Sequence, residues 1–139
     1  MKIAFVDTNI LVYAVGRVED DLRKRQIARE ILLLPQLHLS VQVLNEFISV
    51  ARNPKKLGLS REQEARWLRE WFEFKIAATT FLTFQKALEL HLNYQLSHWD
   101  SLIIASAKEI GCSLVYSEDM SHGHSYDGIQ VINPFAQEP

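Results

Sequence analysis

Asp7, Glu46, Asp100 and Asp119 stand where a carboxylate charge is hard to place. Asp7 ends the β-forming run Lys2 to Val6, and Asp119 lies just beyond Leu114-Val115-Tyr116, so both belong to loops leaving strand ends. Glu46 is one turn from Val43 and from Val50 and interrupts a partly apolar helix face. Asp100 heads a stripe continued by Ile103, Ile104 and Ala107, which should point it inward or into a cleft. A lone charge buried on such faces is expensive. Four brought together repel and raise one another's pKa until cations neutralise them.

A divalent ion is the simplest neutraliser. With oxygen ligands alone it is a hard ion, Mg²⁺ or Mn²⁺ rather than Zn²⁺. The single cysteine, Cys112, cannot build a Cys-based zinc centre or an intramolecular disulfide. Carboxylates holding such ions can activate water and steady the charge on a phosphodiester, which is the chemistry of nucleic-acid hydrolysis.

Each acid also has a purely structural reading. Asp7 can cap the helix after it, Asp100 is the third residue after Ser97 and completes a capping-box spacing, Glu46 can be solvated, and Asp119 can be a turn residue. Their joint placement argues for chemistry.

The elements that must position them read as alternating strands and helices. Strand Lys2 to Val6 runs through Asp7-Thr8-Asn9 into a helix over Ile10 to Val15. Asp20 to Leu34 carries Leu22, Ile27, Ile31 and Leu34 among charges and stops before Pro35. A short strand at Leu37 to Leu39 leads through Ser40 into a helix over Val41 to Arg52, with Leu44, Phe47, Ile48 and Ala51 on its apolar side. Ser60 and Gln63 form a capping-box pair opening a helix with Trp67, Leu68, Trp71 and Phe72 on one side. A strand at Ile76 to Ala78, helices over Thr83 to Gln95 and Ser97 to Ile110, and strands at Ser113 to Tyr116 and Gln130 to Ile132 complete the set. Asn53 to Ser60 and His122 to Gly128 read as loops. Such alternation implies right-handed crossovers and a short parallel sheet flanked by helices, an α/β three-layer sandwich. The strand order is not readable.

At 139 residues, 47% hydrophobic and 23% charged, the chain is expected to form one domain over 1–139. Its formal net charge of −2 argues against coating nucleic acid by bulk electrostatics but leaves room for a local basic patch. The N-terminal apolar run is too short for a signal-peptide core, and no stretch approaches a membrane span, so no membrane partner and a cytoplasmic location are expected. There is no glycine-rich phosphate loop, and Asp7-Thr8-Asn9 lacks the second acid that an aspartate phosphatase needs two residues on.

Taken in order, Val6-Asp7-Thr8-Asn9-Ile10-Leu11, Asn45-Glu46-Phe47, His98-Trp99-Asp100-Ser101-Leu102-Ile103-Ile104-Ala105, Ala107, Ser117-Glu118-Asp119-Met120 and Val131-Ile132-Asn133-Pro134-Phe135 resemble the PIN-domain ribonucleases, and within them the VapC-type toxins of toxin-antitoxin pairs. The resemblance spans nearly the whole chain. It implies a PIN-like fold in which Asp7, Glu46, Asp100 and Asp119 hold Mg²⁺ or Mn²⁺, with Asp7 and Asp100 the direct ligands expected first. It casts Thr8, Asn9 and Ser117 as the residues that orient them. It further implies an endoribonuclease, a hydrolase that cuts unpaired RNA through a metal-activated water, assembles as a homodimer and is blocked by a cognate antitoxin. Which of Glu118 and Asp119 faces the metal rests on family register.

Arg52, Lys55 and Lys56 follow the Glu46 helix and can meet phosphates, although charges of this kind are more often merely solvated. His122 and His124 read as loop residues without assigned chemistry. Trp67, Trp71 and Phe72 read as packing first and as a partner surface second. Two rival readings share the fold: a metal-dependent DNA nuclease, and a catalytically silent binding module in which the acids are only caps.

Overall fold

The computed structural model describes residues 3–17 and 21–136. Lys2 and Asp20, at the starts of two expected elements, lie outside them. In chain order the elements are β1 (Ala4–Val6), α1 (Thr8–Val15), α2 (Leu22–Leu32), β2 (Leu37–Ser40), α3 (Val41–Arg52), α4 (Arg61–Trp71), β3 (Lys75–Ala77), α5 (Phe81–Tyr94), α6 (His98–Glu109), β4 (Leu114–Tyr116), β5 (Ser125–Tyr126) and β6 (Ile129–Ile132).

The sheet order is β3-β2-β1-β4-β6-β5. All neighbouring strands pair in parallel except β5 with β6. From β1 the chain steps outward through β2 to β3, then returns to place β4 on the other side of β1. Right-handed crossovers therefore put α1 to α4 on one face and α5 and α6 on the other. The packing agrees: α1 lies against α2 and α3, α5 lies against α6, and α6 touches β2, β4 and β6. The result is the expected three-layer α/β architecture.

The helix α6 is the centre of one half of the core. Every residue from Ser101 to Ala107 is buried, as expected of a helix enclosed on all sides. On the opposite face Phe47 of α3 meets Trp71 of α4 edge to face, with ring centroids 4.5 Å apart. Truncating Phe47 or Ile104, both fully buried, would cost about 2–5 kcal/mol.

Three elements differ from the sequence reading for identifiable reasons. The segment His122 to Gly128 is not all loop: it contains β5, joined to β6 by Asp127-Gly128, whose φ angles of 53° and 85° suit a type I′ hairpin turn. Helix α5 begins two residues early, because Thr80 caps it and Thr83 returns the bond in a box without the usual Glu or Gln. Helix α2 stops at Leu32, leaving Leu34 exposed beyond it, and Leu22 at its first position is exposed too, so neither joins the buried Ala28 and Ile31.

Candidate active site

Strand β1 lies between β2 and β4, and the chain reverses its direction across the sheet at the β1/β4 boundary. In open parallel sheets the crevice at such a reversal, beyond the carboxyl ends of the strands, is where ligands bind. Asp7 leaves β1 there and Ser117-Glu118-Asp119 leaves β4 beside it. Crossover helices run antiparallel to the strands, so the N-terminus of α6, with Asp100 in its first turn, reaches the same edge. Glu46 comes from the second turn of α3, which starts directly from the end of β2.

Asp7 is 5% exposed. Its carboxylate accepts from the Thr8 amide (2.7 Å) and from the Ser117 hydroxyl (2.8 Å). It is therefore the cap of α1 and a member of the acidic group at once. Burial pushes its pKa up to about 7, aided by the charges of Asp119 and Glu46 and opposed by those two hydrogen bonds. Burial likewise raises Glu46, with Asp100 and Asp119 adding repulsion. Asp100 is raised by burial and by Asp119, against a hydrogen bond from Ser97. The Ser97 hydroxyl also accepts from the Asp100 amide at 3.1 Å, so Ser97 caps α6, but only this half of the expected capping box is formed. The charge of Asp119 thus acts on the other three acids, Glu46 acts on Asp7 and Asp100 acts on Glu46, across one sheet edge.

The polar residues between them form a scaffold. Ser117 donates to Asp7 and accepts from the Asp119 amide at 3.1 Å. Asn9 donates to Asp119 Oδ2 (3.1 Å) and accepts from the Glu118 amide (3.2 Å). Thr8 Oγ1 makes a long 3.4 Å contact to Glu46 Oε1, and Gln42, which sequence reasoning missed, donates to the same oxygen at 3.1 Å. Gln42 lies one turn before Glu46 on α3, a spacing that could have found it.

Glu118 goes elsewhere. It accepts from Tyr13 at 2.6 Å and pairs with Lys24 at 2.5 Å. Burial pushes its pKa up, but these partners outweigh it and hold the carboxyl below its ordinary value. Of the adjacent acids, Asp119 is the one turned to the cluster.

A cleft of about 590 Å³ opens over Thr8, Asn9, Glu46 and Asp119, with Lys55, Lys56 and Arg17 on its rim. The lysines are fixed there by a closed loop, in which Leu57 is buried, its amide bonds Val50 and the Gly58 amide bonds Asn53. Arg52 does not line this cleft; both guanidinium contacts go to Glu64, at 2.8 and 3.3 Å. The loop histidines are also engaged structurally: His122 Nδ1 accepts from the Asn133 amide, and His124 stacks on Tyr126. Trp71 is buried, Trp67 packs beside it, and Phe72 is 59% exposed rather than packed.

The sequence and fold define a class: the chain belongs to the PIN domain family, whose model matches residues 4–123. Among solved structures it is similar to a toxin-antitoxin complex from Klebsiella pneumoniae, at 23% identity over 95% of this chain and 98% of that one, with a TM-score of 0.71. It is also similar to VapC20 of Mycobacterium tuberculosis, described as a sarcin-ricin loop cleaving toxin, at 19% identity, 84% and 89% coverage and a TM-score of 0.66. VapBC2 of Rickettsia felis bound to promoter DNA aligns over 93% and 96%, at 18% identity and a TM-score of 0.63. The sequence matches no curated protein.

Proposed function

We propose that this protein is a Mg²⁺- or Mn²⁺-dependent endoribonuclease and the toxin of a toxin-antitoxin pair. The observation that carries the reading is the convergence of Asp7, Glu46, Asp100 and Asp119, from four separate chain segments, on the crevice where the sheet reverses direction. The pKa values of Asp7, Glu46 and Asp100 are raised by burial first and by one another's and Asp119's charges second, and among the described residues no cationic side chain is bonded to them.

The donor set suits a hard divalent ion: it is all oxygen, and it is preorganised by Ser117, Asn9, Thr8 and Gln42. Among the described residues no three His, Cys, Asp or Glu already stand close enough to hold one ion, so binding would draw these side chains inward. Asp7 and Asp100 would hold it first, with Glu46 and Asp119 completing the set. When bound, the ion would acidify water and offset charge on the scissile phosphate. The chain's own part is to orient and to supply phosphate contacts. Ser117 fixes Asp7 through one oxygen, Asn9 fixes Asp119, Gln42 fixes Glu46, and Lys55 and Lys56 offer cations to neighbouring phosphates.

RNA as the substrate is supported by the VapC20 likeness, and a cognate antitoxin partner by the complexes among the similar structures. A homodimer is supported by α5, where Phe81, Phe84, Leu88 and Leu92 form an exposed apolar stripe at helical spacing. A cytoplasmic site of action fits a lone, buried Cys112 whose thiol burial pushes up to about 12. Among the described residues no helix is long and apolar enough to cross a membrane.

The test compares wild type with Asp7→Asn and Asp100→Asn on an RNA panel and matched DNA, with Mg²⁺, Mn²⁺ or chelator. Wild type should cut RNA only with metal, and each variant should lose about a thousandfold or more, the several kcal/mol that metal charge stabilisation contributes. Absence of metal-dependent cleavage together with absence of Mn²⁺ binding would sink the proposal. Equal cutting of DNA would move the reading to a general nuclease.

A further inference from the structure

A second cleft, of about 570 Å³, lies on the other side of Glu46 from the lysine rim. It shares Glu46 and Ser49 with the first, so the two adjoin along α3 as a groove with Glu46 in both parts and Asp119 in the first. Its characteristic residue is Trp99, directly before Asp100, and this indole is 61% exposed. Asn45, Thr79 and Gln42 supply polar lining, and Leu102 an apolar one.

We infer that this cleft binds an unpaired nucleobase of the strand being cut, stacked on the Trp99 indole. The inference rests on the nuclease reading and extends it to a base-recognition residue. The groove divides by chemistry: its lysine end suits phosphates, and its indole end suits a flat aromatic ring, which stacks well whatever its identity. Trp99 is also bound into the site. Gln42 is buried, and its amide nitrogen donates both to Glu46 Oε1 (3.1 Å) and to the Trp99 carbonyl (3.2 Å). One side chain therefore ties the indole's backbone to a candidate catalytic carboxylate, fixing the distance between a stacked base and the phosphate beside it. His98 adds an edge-on contact to the indole at 5.5 Å.

A second copy of the chain is the rival occupant, and the lining disfavours it. The stripe on α5 is apolar along its length, whereas the Trp99 cleft contains the Glu46 carboxylate and the polar side chains of Gln42, Asn45, Ser49 and Thr79. Covering it with a protein face would bury an unpaired charge. A nucleotide entering with a cation would not. Asn45, exposed at the cleft and without a side-chain hydrogen bond among the described residues, is placed to meet a base edge. A base held in a duplex cannot stack there, so the site takes single-stranded or looped RNA.

The probe is a short, fluorescein-labelled, phosphorothioate-linked oligoribonucleotide of random sequence, titrated against the full chain with Mg²⁺. Trp99→Ala should weaken binding about 10- to 100-fold, and Trp99→Phe should keep most of the affinity. Binding should quench tryptophan emission in Trp67→Phe but not in Trp99→Phe, and a duplex probe should be indifferent to Trp99. Circular dichroism melting checks that each variant folds. Wild-type affinity in Trp99→Ala overturns the inference. So does a fall in solution mass with unchanged affinity per protomer, which would assign the cleft to a second copy. The two readings fail separately. Metal-dependent cleavage with Trp99-independent binding removes the base site alone, whereas Trp99-dependent binding without any cleavage removes the nuclease.

Discussion

Two carboxylate environments meet at the end of β4, and adjacent residues belong to different ones. Glu118 is matched: Lys24 neutralises it, Tyr13 bonds it, and Phe135 packs edge-on against the Tyr13 ring at 4.9 Å. Asp119 is unmatched: among the described residues its one side-chain hydrogen-bond donor is neutral Asn9, and its charge helps to raise the pKa values of Asp7, Glu46 and Asp100. The first arrangement settles a charge into the fold. The second leaves charge to be settled by something that arrives later. A carboxylate at a cleft with no cation bonded to it among the described residues points to a ligand, whereas one already paired does not, and here both kinds occur one residue apart.

The widest separation between the two should appear in catalysis. Asp119→Asn removes a charge from the unmatched set and should lower metal-dependent RNA cleavage by about 100-fold or more. Glu118→Gln, which alters only the matched set, should stay within about fivefold of wild type. Initial rates at saturating Mn²⁺ decide this. A loss in Glu118→Gln as deep as in Asp119→Asn would erase the distinction and put Glu118 at the metal.

The same contrast appears, with opposite sign, in stability against pH. Asp7 has a folded pKa of about 7 against an ordinary value of 3.8, so between these pH values the native state keeps a proton that the unfolded chain has lost. Metal-free stability should therefore fall as pH rises from about 4 to 7 and then level off, by up to about 4 kcal/mol. Asp7→Asn should flatten the profile and raise the melting temperature of the metal-free protein at pH 8. Adding Mn²⁺ should stabilise wild type at that pH far more than the variant, because the ion replaces the proton. A wild-type melting temperature that is flat or rising over this interval would show that Asp7 is not crowded in solution.

How much of this was legible in the sequence depends on the range of the forces involved. Helix starts were readable where a cap and its partner lie three residues apart, as at Ser60 and Gln63, because that physics is local. Thr80 with Thr83 escaped because a threonine stood where Glu or Gln is usual. Asp127-Gly128 is a hairpin-turn dipeptide, but the strands it joins are too short to show alternation, so the segment reads as a loop. The four acids stood out as charges on apolar faces. Their convergence depends on the strand order, which is a tertiary fact: only with β1 between β2 and β4 do Asp7 and Ser117 become neighbours. The pairing of Glu118 with Lys24 spans 94 residues, and Arg52 with Glu64 needed the α3–α4 geometry, so neither could be read from spacing.

The smallest effect lies in the matched set itself. Lys24 and Glu118 are each about one-quarter exposed, so their attraction is partly screened by water and salt. A double-mutant cycle of Lys24→Met and Glu118→Gln, read by urea unfolding at pH 7, should return a coupling of about 1 kcal/mol. Because the folded pKa of Glu118 lies below its ordinary 4.5, that contribution is present above pH 4.5 and disappears as pH falls through the folded value. This is the reverse of Asp7, whose penalty grows as the pH rises. Acid should thus relax the crowded carboxylate between about pH 7 and pH 4, and loosen the matched one only below pH 4.5. If the coupling were instead several kcal/mol, or persisted unchanged at pH 3, the Lys24–Glu118 pair would be a buried structural anchor, and the division between settled and unsettled charge at the end of β4 would have to be redrawn.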